Sequence, residues 1–134
     1  MLKEFMNTLV ETAEQHCSLS GSISLKELPA EGGLYAEPGQ GFEVAKYYDK
    51  TGIHTLPVLF LCRNKDQIKC IDQLESICNY FTRLKEYPKG EQFAWLNTEV
   101  AKGVSRVGRD ADGVYHYSCI LNCKLYFYKK GTLQ

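Results

Sequence analysis

Apolar residues recur at three- and four-residue steps from Leu2 through Phe5, Met6, Leu9 and Val10 to Ala13, with Lys3, Glu4, Asn7, Glu11 and Glu14 between them. This period predicts an amphipathic helix over residues 2–16. The turn-rich run Ser18-Leu19-Ser20-Gly21-Ser22 marks its end. A second stripe, formed by Ile68, Ile71, Leu74, Ile77, Cys78, Phe81 and Leu84, predicts a helix over 66–84. Asn64 or Asp66 can cap its start by accepting a hydrogen bond from a free backbone N–H. Pro88 and Gly90 lie just past its end, where neither continues a helix. Both stripes read as faces that pack on a sheet.

The remainder reads as strands. Residues 23–63 are extended and punctuated by Gly32-Gly33, Pro38-Gly39 and Gly41. Asp49-Lys50-Thr51-Gly52 is a hairpin-type turn joining Phe42–Tyr48 to Ile53–Cys62. The second of these runs becomes apolar on both faces, as a central, covered strand does. Pro57 cannot donate a ladder bond, so it is expected at a strand start or a bulge. Residues 93–107 are extended and lead into the turn Gly108-Arg109-Asp110-Ala111-Asp112-Gly113. From 114 to 128 the alternation is strict. Tyr115, Tyr117, Cys119, Leu121, Cys123, Leu125 and Phe127 make one face; His116, Ser118, Ile120, Asn122, Lys124, Tyr126 and Tyr128 make the other. Such a strand runs ~46 Å, against the usual ~17–20 Å, and something must cover its excess. The expected fold is α+β: an antiparallel twisted sheet with a long C-terminal hairpin, and two main helices packed on one face. One domain spanning 1–134 accommodates all of it.

Composition narrows the chemistry. Sixteen basic residues balance sixteen acidic ones, which argues against a chain whose task is to grip nucleic acid. No apolar run approaches the ~20 residues of a membrane span, and Met1-Leu2-Lys3-Glu4 does not open a secretory leader. The six cysteines, Cys17, Cys62, Cys70, Cys78, Cys119 and Cys123, sit at core-like positions and read as reduced packing residues. A zinc site is disfavoured: Cys119 and Cys123 stand ~13 Å apart on a strand, and His16, His54 and His116 are isolated in sequence. Asp110 and Asp112 lack the further ligands of a calcium loop. The glycines at 32, 33, 39 and 41 form no phosphate cradle. Cys62 or Cys17 with His54 could serve as nucleophile and base, but no third orienting group is evident. No cofactor, metal or catalytic residue is expected, and a small Cys/His enzyme is the weakest reading.

Surface style is more informative. Of nine tyrosines, Tyr47, Tyr48, Tyr115, Tyr117, Tyr126 and Tyr128 fall on predicted strands and supply the amphipathic area favoured at protein–protein interfaces. With the overlong strand, they favour a subunit that pairs with copies of itself. Neutral net charge removes the long-range repulsion that would oppose this. The alternative is a monomeric peptide-binding module whose overlong strand is an exposed edge open to β-augmentation.

The stretch from Val104-Ser105-Arg106-Val107-Gly108-Arg109-Asp110 through Ala111-Asp112-Gly113-Val114-Tyr115-His116-Tyr117 resembles the P-x-x-(I/L)-G-x-D-x-x-G-(R/Y)-x-x-(Y/F) ending of small phage proteins. These are minor capsid or tail-completion proteins of long-tailed bacteriophages and prophages. The element order is similar to that of tail terminators. The resemblance implies a structural virion protein in head–tail joining, forming a homo-oligomeric ring, hexameric in that family, that caps the tail tube. It further implies tail-tube and neck or connector proteins as partners, DNA only as passing cargo, and assembly in the bacterial cytoplasm. On this reading the subunit contact falls on Tyr115, Tyr117, Tyr126 and Tyr128 of the long hairpin, with Phe42 and Tyr47 in the loop region.

Overall fold

The computed structural model describes residues 2–27, 32–38 and 52–128. Along these run helix α1 (Leu2–His16), strands β1 (Ile23–Ser24), β2 (Gly33–Pro38) and β3 (Gly52–Asn64), helix α2 (Gln67–Arg83), and strands β4 (Phe93–Arg109) and β5 (Tyr115–Phe127). The strands form one sheet in the order β1-β2-β3-β5-β4. The α+β expectation holds, with both helices on the sheet. One detail differs: the sheet is mixed, because β1 runs parallel to β2. Ser24 Oγ accepts hydrogen bonds from the N–H groups of Lys26 and Glu27, at 3.2 and 3.3 Å. The chain therefore bends away after β1 instead of closing a tight antiparallel hairpin. The expected strand over 42–48 and most of its turn lie outside the described residues.

Local chemistry sets the helix ends. Asp66 Oδ1 accepts from the Ile68 N–H at 3.0 Å, making Asp66 the cap of α2. Asn64 Oδ1 accepts from the Asp66 N–H at 2.9 Å and shapes the turn before it. Leu84 is extended and ends the helix ahead of Pro88.

β3 and β5 pair residue for residue from Gly52↔Phe127 to Asn64↔Tyr115 without a slip. Pro57 lies within this unbroken register, neither at a strand start nor at a bulge. Among the described residues the ladder from β2 reaches Val58, so the missing donor of Pro57 falls where that ladder ends. β5 is paired along both edges, by β3 and by β4. The length expected to overhang is therefore covered, and its core face is buried from Tyr117 to Phe127.

One hydrophobic cluster fills the space between helices and sheet. Its centre is Trp95. Phe81 of α2 and Tyr87 stack on the indole at 5.1 and 4.9 Å, and Phe5 of α1 meets it edge-on at 4.9 Å. The indole N–H donates to Thr98 Oγ1 at 2.9 Å, so the buried ring leaves no orphan donor. Because Phe5 and Phe81 both reach Trp95, the two helices share one face of the sheet. Replacing Phe5, which is fully buried, by Ala is expected to cost about 3–5 kcal/mol. Asp66→Ala is expected to cost about 1 kcal/mol through the lost cap. Urea denaturation at neutral pH checks both, and the ordering of the two losses is the sharper result.

Candidate assembly interface

β4 begins as a core strand and changes character. Phe93, Trp95 and Thr98 are buried, but none of the residues from Glu99 to Arg109 is. That segment is ~36 Å of strand at ~3.3 Å per residue. It lies at the end of the strand order, with β5 on one side and no strand on the other among the described residues. Val100 is 45% exposed and Val107 63%. Lys102, Arg106 and Arg109 stand along it against a single carboxylate, Glu99. None of Lys102, Arg106 or Glu99 has an ion-pair partner among the described residues.

Its ladder is irregular. β4 spends 17 residues against 13 of β5, and the surplus is taken up at four register shifts, three of them between Val100 and Gly108. Bulges twist an edge and interrupt the row of N–H and C=O groups that a guest strand would pair with. Register also sorts the side chains: Lys102 lies opposite Ile120, while Arg106 lies opposite the core-facing Tyr117. The two cations therefore stand on different faces of β4.

The turn joining β4 to β5 is closed by its own backbone. The Asp110 N–H donates to the Val114 carbonyl at 2.8 Å and the Gly113 N–H to the Asp110 carbonyl at 3.0 Å. Gly113 adopts φ +83°, a conformation that glycine takes without Cβ strain. Arg109 lies over the Tyr115 ring at 5.5 Å. His116 Nε2 lies 2.9 Å from Asp110 Oδ1, at ion-pair distance but not aligned as a hydrogen bond.

The tyrosines divide between two environments. Tyr117 is turned into the core, 7% exposed, and its hydroxyl donates to Gln67 Oε1 at 2.9 Å. Tyr115 is half-buried beneath Arg109. Tyr126 is 40% exposed at the far end of β5 and packs edge-on against Tyr128 at 5.6 Å. Ile53, opposite Tyr126 in register, is 58% exposed and extends this patch. Phe42 and Tyr47 lie outside the described residues.

Of the candidate pairs of nucleophile and base, Cys62 and His54 do not meet. His54 and Cys62 are eight residues apart on one strand, ~26 Å at ~3.3 Å per residue. All six cysteines are free thiols, and every one but Cys17 is buried. Burial pushes the Cys62, Cys70 and Cys123 thiols up. A hydrogen bond with Cys78, together with burial, raises Cys119. Among the described residues no three His, Cys, Asp or Glu side chains group around a metal position. No helix there is long and apolar enough to cross a membrane.

Among the described residues, then, the Glu99–Arg109 part of β4 is a long strand with no strand on its outer side, attached to a well-packed body. The family model described as bacteriophage tail terminator protein matches residues 12–127. The chain belongs to that family, whose members are structural proteins of phage tail completion. None of the curated proteins compared matches it.

Two expectations arise from the thiols. An alkylating probe at neutral pH should label Cys17 first and the other five only on unfolding. Unfolded cysteines ionise near pH 8.5. In the fold the raised thiols hold their protons above that, so the native state binds more protons at alkaline pH and stability falls as pH rises past about 8.5. Urea midpoints measured in reductant from pH 7 to 10 should decline accordingly, and less steeply in Cys123→Ala.

Proposed function

We propose that this chain acts as one domain that forms a closed ring on the last ring of the tail tube, stops its polymerisation and presents its other face to the neck. The observation that supports this best is the uncovered Glu99–Arg109 edge, together with the family. A ring is built by heterologous contacts, one patch meeting a different patch on the next copy until rotation closes it. The work is mechanical and calls for no catalytic group, metal or cofactor. The seam runs along the β4–β5 hairpin, with Tyr126 and Tyr128 at one end and Tyr115 beneath Arg109 at the other. Tyr117 is not assigned to it, because its ring is already spent on the core. Phe42 and Tyr47 remain part of the proposal. Assembly takes place in the bacterial cytoplasm, and DNA crosses the ring only as cargo.

The same free edge suits a monomeric strand-binding module, but four register shifts in one strand disfavour continuous β-augmentation. The test is to add the purified protein to growing tubes of the tail-tube protein and to image the ends by negative-stain microscopy. The expected result is tubes that stop growing and carry ring-shaped caps. Tubes that elongate unchanged at saturating protein would overturn the reading. Tyr126→Asp is expected to give a folded monomer that caps poorly; an unaltered capping yield removes that tyrosine from the seam.

A further inference from the structure

The seam needs a second patch, and charge selects it. Two β4 edges laid together would set Lys102, Arg106 and Arg109 of one copy against the same residues of another, with only Glu99 to offset them. Like charges across such a pair are destabilising. The edge therefore fits a surface that is acidic, partly apolar and unpartnered. Helix α2 offers one. Ile68, Asp72 and Glu75 lie at successive i, i+4 and i+7 positions, which form one stripe of a helix. All three are exposed, Ile68 by 58%; the exposed Lys65 and Lys69 lie toward the start of the helix, so the acidic part of this face is its middle, Asp72 and Glu75. Asp72 and Glu75 have no ion-pair partner among the described residues. The opposite face of the helix, from Cys70 through Leu74 and Ile77 to Phe81, is fully committed to the core.

We propose that, in the ring, the Glu99–Arg109 edge of one copy lies against the Ile68-Asp72-Glu75 stripe of α2 in the next. Lys102 and Arg106, standing on different faces of β4, close on the helix from either side and meet Asp72 and Glu75. Val107 meets Ile68. The bulges suit this arrangement, because contact with a helix is made through side chains and needs no unbroken strand ladder. This inference rests on the ring reading and adds the identity of the second surface.

The test uses charge reversal on intact chains: Lys102→Glu with Arg106→Glu, Asp72→Lys with Glu75→Lys, and all four together. Every site is exposed, and the circular dichroism and melting of each variant confirm its fold. Ring caps on tube ends are counted by microscopy. Each reversed pair alone is expected to lower the capped fraction at least tenfold, and the fourfold variant to restore most of it. Wild-type capping undiminished by either reversal overturns the inference and leaves the ring reading standing. Loss in both without rescue in the fourfold variant also overturns it. So does a variant that still closes rings in solution but no longer binds tubes, since the edge would then belong to the tube protein. If the wild-type chain never caps a tube, the ring reading falls and takes the inference with it.

Discussion

The structure depends on the pairing of β5 with β3. Thirteen residues of each strand run opposite one another without a slip, and every odd-numbered β5 residue from Tyr117 to Phe127 is buried beneath the helices. Register this strict arises from burial, since a one-residue shift would turn the whole apolar row to solvent. Once β5 is fixed in this way, its second edge is a straight template on which β4 must lie. Along β4 the helices bury residues only as far as Thr98. Beyond Thr98, β4 is held by backbone pairing to β5 and by the partly buried Val104 packing on the core, so its exposure is a consequence of how far the rail extends.

This arrangement separates folding from assembly. Trp95 gathers α1, α2, the segment after α2 and the start of β4 into one aromatic centre. Cys62, Cys70, Cys119 and Cys123 fill the remaining gaps as small apolar groups whose thiols stay protonated. Phe93, Trp95 and Thr98 commit the first third of β4 to the core, leaving the rest available. An exposed side chain on Glu99–Arg109 can therefore be exchanged without disturbing the body, whereas Trp95 cannot, and in the proposed ring this leaves the edge available for contacts between copies.

Much of the fold was legible because burial imposes simple periods. The helix stripes at Leu2–Ala13 and Ile71–Leu84, the Asp66 cap and the alternation from Tyr115 to Phe127 all result from one face meeting a core; Ile68, expected on the same packing stripe, instead faces outward, 58% exposed, in the first turn of α2. The strict alternation of β5 also suggested an overhang there, but a strand paired along both edges shows the same period as one left bare. β4 was the harder case. Its four register shifts move residues between faces, so no clean period survives from Glu99 to Arg109, and the sequence showed only a mixed extended run. Tyr117 illustrates the limit for side chains. It shares the apolar face of β5, yet its residue type resembles an interface aromatic, and only the position of Gln67 reveals where its hydroxyl goes.

The charge distribution gives the proposed ring its character. The whole chain is neutral, so copies neither repel nor attract at long range. Opposite charges are instead segregated, with cations on the β4 edge and carboxylates on the exposed stripe of α2. At physiological salt such contacts act only within about 8 Å. Exposed pairs of this kind contribute roughly 0–1 kcal/mol each, too little to hold two free copies together. A tube end changes the balance by holding neighbours side by side, which raises their effective concentration and lets several weak seams close at once. A seam built from individually weak, complementary contacts thus favours closure on the tube end over association in solution, and that is the selectivity a terminator requires.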